Sequence, residues 1–242
     1  MEVHHHSHTE RKKFKHYLFE FFMLFMAVFS GFLAEYYLEF RIERHREHEF
    51  IDSMVADLKE DTAHISSIYE FNKKQAFSLD TLVRLLFTVT DHPDSAKRAY
   101  ALYYNYALNY NNVVFSDRTI TQLKNSGGLR LIRNQAVSDS IMAYDAGVRN
   151  CQLQFEVVRE GWTGQTNESY QLFDLSSIYT PDSLAGKTAF RFLTTDKKTY
   201  SVYANRLIIF SGLIKNYARV IRFQKAAAAR LITYLKKEYH LE

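Results

Sequence analysis

The longest apolar stretch of the chain lies near its N-terminus. Residues 21–34 carry no charge, and they sit inside a longer apolar run, residues 17–38, whose only charges are Glu20 and Glu35. As a helix, this run rises about 33 Å, close to the ~30 Å thickness of the hydrocarbon layer of a bilayer. Aromatic side chains occur at both ends, as is typical of the two membrane–water interfaces. The pattern predicts a transmembrane helix over residues 17–38.

Two other structures share this pattern, a cleaved signal peptide and a buried core helix. The basic residues 11–15 suit the first part of a signal peptide, but the only small-residue pattern, Val28-Phe29-Ser30, is a poor cleavage site. The run is apolar on every face, whereas a surface helix of a globular protein shows a polar stripe. We therefore favour a retained anchor.

Basic residues flank this anchor on both sides. Four precede it within residues 11–15, and three follow it, Arg41, Arg44 and Arg46. The excess before the anchor predicts a cytoplasmic N-terminus. In a bacterial inner membrane, the C-terminal domain would then be periplasmic.

The hydrophobic pattern beyond the anchor is helical. Residues 39–50 are polar nearly all round, with opposite charges three apart, which predicts a solvated helical stalk. An apolar stripe then predicts a first helix running to about Lys74. Two further stretches predict a short helix over Leu79–Leu86 and a Tyr-rich helix over Ala96–Asn111. Ser116 or Asp117 can cap a short helix that ends at residues 125–128, Asn-Ser-Gly-Gly.

Two later segments carry apolar residues at alternating three- and four-residue steps, which keeps one side chain per turn on a single coiled-coil-like seam. The first seam comprises Val137, Ile141, Tyr144, Val148, Cys151, Phe155, Val158 and Trp162. The second seam comprises Leu207, Phe210, Ile214, Tyr217, Ile221, Gln224, Ala228, Leu231 and Leu235. We expect Gln224, the polar member of the second seam, to fix its register. The seams are long enough either for packing within the chain or for association between copies. The intervening residues 180–198 predict a loop.

Composition narrows the class of protein. With 8 Gly and 2 Pro in 242 residues, the chain lacks the turn residues that an all-β sandwich or barrel needs. One Cys excludes a disulfide framework, and a net charge of +4 is too small to indicate nucleic-acid binding. The fold class we expect is all-α, with an N-terminal transmembrane helix that continues into a stalk and an antiparallel bundle of long helices.

Three segments of the sequence are distinctive. They are the His-rich tail followed by RKKFKHYLFEFFMLFMAVFSGFLAEYY, the next segment EFIDSMVADLKEDTAHI, and the later segment TITQLKNSGGLRLIRNQAVSDSIMAYD. Together they resemble a family of uncharacterised single-pass membrane proteins from Bacteroidota, over about residues 1–65 and 117–145. The resemblance implies a bacterial cell-membrane location and a soluble helical domain, and it implies no activity.

These observations predict four parts of the chain. We expect a His-rich, basic cytoplasmic tail over residues 1–16 and the transmembrane helix over residues 17–38. The charged helical stalk would cover residues 39–50, and the all-α soluble bundle residues 51–242.

Glu20 and Glu35 are the sharpest chemical feature. A carboxylate inside a membrane span is costly and is a functional-site hypothesis by default. The two lie about 22 Å apart along a helix, so each is nearer to a headgroup layer than to the bilayer centre. We favour side chains that snorkel toward water. Proton coupling or specific helix pairing is the alternative.

Histidine and aspartate clusters are the candidate metal ligands. His4, His5, His6 and His8 can chelate Zn²⁺ or Ni²⁺ from a flexible tail, although incidental affinity is the favoured interpretation. Asp57, Asp61 and His64 share one helix face, but a carboxylate-bridged centre needs Glu-x-x-His motifs from two helices. We interpret them as an ordinary polar face and expect no cofactor.

The last predicted helix is strongly basic. Lys215, Arg219, Arg222 and Lys225 all precede its first acidic residue, Glu238. They can contact anionic lipid or an acidic partner, although we favour a solvated outer face. Cys151 lies on the first seam, so we expect a buried apolar side chain rather than a nucleophile.

The sequence contains no catalytic motif that we recognise, so we expect a protein without enzymatic activity. The favoured function is a scaffold or interaction protein anchored in the bacterial inner membrane. Its partners would be the lipid bilayer and an unidentified membrane or periplasmic protein, or a second copy of the chain, but no nucleic acid. Two alternatives stay open: a bundle that senses a ligand, and a subunit of an ion-driven membrane complex that uses Glu20 or Glu35.

Overall fold

The computed structural model describes residues 14–88, 93–177 and 190–241. Regular structure in these residues is helical, apart from one isolated antiparallel bridge between Phe173 and Phe192. The α-helices and their bounds are α1 (Phe14–Leu86), α2 (Pro93–Leu102), α3 (Arg118–Asn125), α4 (Gln135–Ser169) and α5 (Lys197–Tyr239), of which α1, α4 and α5 are long. The all-α fold class with long helices is confirmed.

The chain divides into two compact units, and the boundary lies between Glu49 and Phe50. Helix α1 contributes to both units. It begins in the first unit at Phe14 and ends in the second at Leu86. All of α2 to α5 belong to the second unit, which is the helical bundle.

Helix α1 is continuous over 73 residues. It contains one glycine, Gly31, and no proline, so no residue removes a backbone hydrogen bond. The predicted end near Lys74 and the separate helix over Leu79–Leu86 are therefore wrong. The buried face continues from Ile65 to Leu79 through two polar residues, Asn72 and Gln75, both fully buried. An apolar pattern alone could not show that continuity.

Helices α4 and α5 pack antiparallel along the two seams. Gly147 faces Gln224, whereas the later Gly161 faces the earlier Leu213. Every member of the second seam is buried, and all of the first seam is buried except the half-buried Val148 and Trp162. Both predicted seams are present, and the structure shows that they pack against each other within the chain.

Gln224 is the polar member of this interface. Its Nε2 donates a hydrogen bond of 3.0 Å to the carbonyl oxygen of Tyr144 on α4. If one helix slid along the other, this hydrogen bond would break and leave a buried amide without a partner. The contact therefore favours a single register of α4 against α5.

The Tyr-rich segment is not one helix, contrary to the prediction for residues 96–111. Helix α2 ends at Leu102, Tyr103–Ala107 form a π-helical turn, and the backbone up to Asp117 is irregular. Where the helix ends, some backbone carbonyl groups have no partner within the helix, and side chains of α1 and α4 donate hydrogen bonds to them. The Gln75 amide donates to the carbonyl oxygens of Tyr106 (2.7 Å) and Asn109 (2.6 Å), and the Gln165 amide donates to that of Ala107 (2.6 Å).

Aromatic rings fill the core beside this turn. The rings of Tyr103 and Phe173 stack with centroids 3.9 Å apart, and Tyr203 meets the edge of Phe173 at 5.7 Å. Tyr103 Oη lies 2.8 Å from Ser169 Oγ on α4. Burial raises the pKa of Tyr103 to about 12, so its hydroxyl stays protonated. Tyr103 therefore contributes to core packing with a hydrogen-bonded hydroxyl.

Candidate functional site

The N-terminal part of α1 is apolar and exposed. Its 18-residue window of mean hydropathy 1.9 has no buried residue. A core helix of this composition would be buried, whereas a helix in lipid presents apolar side chains on every face. By length and composition, α1 can span a membrane. The helix predicted over residues 17–38 is present, and its place in a bilayer remains a proposal.

Glu20 and Glu35 lie at the two ends of this segment, on α1. Both are exposed, and His16 Nε2 lies 3.1 Å from Glu20 Oε1 one turn earlier. The contact draws the Glu20 carboxylate toward the N-terminal end of the segment. That direction is the one that snorkelling requires.

The candidate metal ligands fall into two groups. His4, His5, His6 and His8 lie outside the described residues. Across residues 14–88, 93–177 and 190–241, no three His, Cys, Asp or Glu side chains are placed to hold a metal ion.

Asp57 and Asp61 are buried, with 3% and 1% of each residue exposed. Their interpretation as an ordinary polar helix face is therefore wrong. Residues 116–119 and α4 cover this side of α1 and bind both carboxylates. His64, one turn further along, stays exposed, with its Nδ1 2.9 Å from the carbonyl oxygen of Val114.

Asp57 caps a helix other than its own. Its Oδ2 accepts a hydrogen bond of 3.1 Å from the backbone N–H of Thr119, in the first turn of α3. Asp117, the N-cap residue of α3, makes no capping hydrogen bond. Arg118 Nη2 lies 2.6 Å from Asp57 Oδ1. Burial opposes ionisation of Asp57, but the hydrogen bonds and charge from Thr119 and Arg118 outweigh it and lower its pKa.

Asp61 has neutral donors only. Its Oδ1 accepts a hydrogen bond of 2.7 Å from the backbone N–H of Ser116, and its Oδ2 accepts one of 2.6 Å from the Tyr144 hydroxyl. Burial outweighs these hydrogen bonds and raises the pKa of Asp61. The two aspartates join α1, α3 and α4, and their carboxylates are closed to solvent, so this cluster serves the fold rather than a substrate.

A groove of about 430 Å³ lies between residues 69–80 of α1 and residues 215–222 of α5. We call it the basic groove. Three of the four basic residues singled out from the sequence line it, Lys215, Arg219 and Arg222, and Lys225 does not. Lys73 of α1 adds a fourth cation from the opposite wall. The expected solvated outer face is thus one wall of a concave surface.

One carboxylate, Asp80, faces the cations of the basic groove. Lys215 Nζ lies 2.7 Å from Asp80 Oδ2, and the Ser211 hydroxyl donates to Asp80 Oδ1 at 2.7 Å. Burial of Asp80 opposes its ionisation, but the contacts with Lys215 and Ser211 prevail, and its pKa is lowered. Within the described residues, Lys73 and Arg222 have no carboxylate partner, so the groove keeps an excess of positive charge.

Asn72 lies in the wall of the basic groove and is fully buried. Neither its Nδ2 nor its Oδ1 has a hydrogen-bond partner among the described residues. Native proteins rarely leave a buried amide in this state. No sequence pattern predicts this burial, because Asn72 stands in the polar run Asn72-Lys73-Lys74-Gln75.

Cys151 lies in the α4–α5 interface and is 1% exposed. Burial raises the pKa of its thiol to about 11. A thiol that is neutral and inaccessible is a poor nucleophile. The prediction of a buried apolar side chain is confirmed.

The described residues thus define a class, an all-α protein with one helix that can span a membrane and a basic groove in its helical bundle. Comparison with protein-family models, with curated proteins and with solved structures found no match for the chain.

Proposed function

We propose that the protein is a non-enzymatic scaffold anchored in the bacterial inner membrane, with a periplasmic bundle that binds a protein partner or a second copy of the chain. The observation that carries this proposal is the exposed apolar segment of α1. The same helix continues without interruption to Leu86 in the bundle. One continuous helix therefore contains both the apolar segment and part of the bundle.

Exposed apolar side chains on the bundle support an interaction role. On α4, Leu153 and Val157 are 67% and 44% exposed and lie one turn apart. On α5, Ile209 and Phe223 are 56% and 62% exposed and are separated by about four turns, so they share a helix face. These side chains are the positions on the bundle at which we propose that a partner makes apolar contacts.

The anchor is tested with Met26→Lys combined with Phe29→Lys in the middle of the apolar segment. Each lysine at the centre of a span costs about 2.5–3.5 kcal/mol of insertion free energy. We expect the wild-type chain to resist extraction of membranes with alkaline carbonate, and the double variant to be released. The matched control, Leu153→Lys with Val157→Lys on α4, should stay in the membrane.

Crosslinking in intact cells tests the scaffold. We expect the wild-type chain to give defined crosslinked species that the Leu153→Lys and Val157→Lys variant loses while it remains folded by circular dichroism. A chain released from membranes by carbonate contradicts the anchor. A chain that stays monomeric after crosslinking contradicts the scaffold.

A ligand-sensing bundle is the second candidate function. The observation that favours it is the basic groove with its unpaired amide, since concave sites with a few convergent polar groups are where small molecules bind.

A further inference from the structure

We propose that the basic groove binds a small amphiphilic anion, a phosphate monoester joined to an apolar body. This inference goes beyond the anchored scaffold and does not depend on it, because every residue that carries it belongs to the bundle. It rests on three properties of the groove: its charge, its apolar walls and its buried amide.

The charge favours an anion. Asp80 is already bound by Lys215 and Ser211, at 2.7 Å each. Lys73 and Arg222 remain without a carboxylate partner among the described residues, and Arg219 uses one donor on Asn216 Oδ1 at 2.7 Å. A guanidinium has five N–H donors in a planar fork that matches phosphate oxygens, so Arg219 and Arg222 keep donors for a ligand.

The walls favour a ligand that also has an apolar part. Tyr69, Ala76 and Ala218 line the groove together with Phe77, which is 69% exposed. The volume of about 430 Å³ lies in the range of small-molecule sites. A bare inorganic anion would leave this apolar surface in water, so its affinity should be much lower.

The amide of Asn72 selects among anions. It is fully buried with both polar atoms unpaired, which is unfavourable in the free protein. Both polar atoms are closed to solvent in the free protein, so a ligand reaches them only when the side chains that cover the amide move aside. A phosphate monoester then supplies acceptor oxygens for Nδ2 and, in the singly protonated form that is its minor species at neutral pH, a hydroxyl donor for Oδ1. A carboxylate at neutral pH offers acceptors only.

The affinity test uses the full chain in phosphatidylcholine nanodiscs and isothermal titration calorimetry, with empty nanodiscs as the blank. The probes are 1-naphthyl phosphate, inorganic phosphate and 1-naphthol. We expect 1-naphthyl phosphate to bind at least tenfold more tightly than either of the other two. Arg222→Gln should weaken its binding at least tenfold. The matched control Lys225→Gln, on the same helix but outside the groove, should leave it unchanged.

Asn72→Leu separates a ligand contact from a packing defect. We expect this variant to have a higher melting temperature than the wild-type chain, because it removes an unpaired buried amide, and to bind 1-naphthyl phosphate at least tenfold more weakly. If the Asn72→Leu variant fails to fold, the comparison of Arg222→Gln with Lys225→Gln alone decides whether the groove binds the ligand. Binding of 1-naphthyl phosphate that is no tighter than that of inorganic phosphate, or that Arg222→Gln leaves unchanged, overturns the proposal.

The ligand can come from solution or from the bilayer, and one more titration distinguishes these sources. Phosphatidic acid carries the same phosphate monoester on a lipid. If nanodiscs that contain it block binding of 1-naphthyl phosphate, the groove takes a membrane lipid. If they do not, the groove takes a soluble phosphate. Both results support the proposed chemistry.

Discussion

At the scale of single residues, two aspartates one turn apart on α1 have opposite electrostatics. Asp57 meets the charge of Arg118 and the N-terminus of α3, and its pKa is lowered. Asp61 meets neutral donors in a deeper position, and its pKa is raised. The pKa values of two identical side chains on one helix face thus shift in opposite directions, because different groups cover them.

The two shifts affect stability in opposite pH ranges. A lowered pKa in the folded state means that Asp57 stabilises the fold above its ordinary pKa of 3.8, and this contribution is lost as the pH falls through its folded value. A raised pKa means that Asp61 favours the fold below its ordinary pKa of 3.8. That contribution is lost as the pH rises through its folded value.

Asparagine substitutions should therefore have effects of different size. At pH 7, Asp57→Asn should destabilise the fold by about 1–3 kcal/mol, because it removes a charged acceptor of hydrogen bonds. Asp61→Asn removes a carboxylate whose ionisation burial opposes and keeps an acceptor for the Ser116 N–H, but it takes the acceptor away from the Tyr144 hydroxyl, so it should destabilise clearly less than Asp57→Asn at pH 7. Thermal unfolding of the full chain in detergent, followed by circular dichroism between pH 3 and pH 8, measures both. If the two variants lost similar amounts of stability at pH 7, the opposite electrostatics of Asp57 and Asp61 would be refuted.

At the scale of helices, the close contact between α4 and α5 depends on a glycine, Gly147, at the interface. A Cβ atom at Gly147 would overlap the amide of Gln224. Gln224 cannot move away without losing its hydrogen bond to the carbonyl oxygen of Tyr144. Gly147 thus allows the close approach at the point where the register is set.

Two glycine substitutions test this packing. Gly147→Ala should destabilise the bundle by about 1–3 kcal/mol through overpacking, partly offset by better helix propensity. Gly212→Ala is the matched control, since Gly212 lies inside α5 with nothing within 4 Å of the added Cβ. It should stabilise by up to about 1 kcal/mol. The melting temperatures of the two variants should move in opposite directions, and a common direction would contradict the close-packing argument.

At the scale of the whole molecule, one helix contributes to two units with different surroundings. Up to Glu49, α1 belongs to the first unit, and from Phe50 it belongs to the bundle. In the bundle, its residues contact partners distant in sequence, such as Lys215 for Asp80. The proposed topology places a membrane around the apolar part of the first unit.

The orientation of the chain can be measured with enzyme fusions. Four basic residues before the apolar segment and three after it favour a cytoplasmic N-terminus. Alkaline phosphatase is active only outside the cytoplasm, so a fusion at the C-terminus should be active and one at the N-terminus inactive. The reverse pattern of activities would place the bundle in the cytoplasm.

The sequence by itself determined the features that depend on local periodicity. The second seam, from Leu207 to Leu235, is buried throughout, as its three- and four-residue steps predict. The turn after α3 also follows from local chemistry, because Gly127 adopts a φ of 69° that favours glycine. The apolar character of the N-terminal part of α1 also follows from its composition alone.

Only the tertiary structure decided which polar residues are buried and which elements meet. Asn72 and Gln75 interrupt the apolar pattern of α1, yet they lie in its buried face because neighbouring segments cover them. Asp57 caps α3 from about sixty positions earlier in the chain, and its partner Thr119 gives no sign of this. The basic groove joins residues 69–80 to residues 215–222. Periodicity defines the face of one helix, but burial and electrostatics depend on the partner that packs against it.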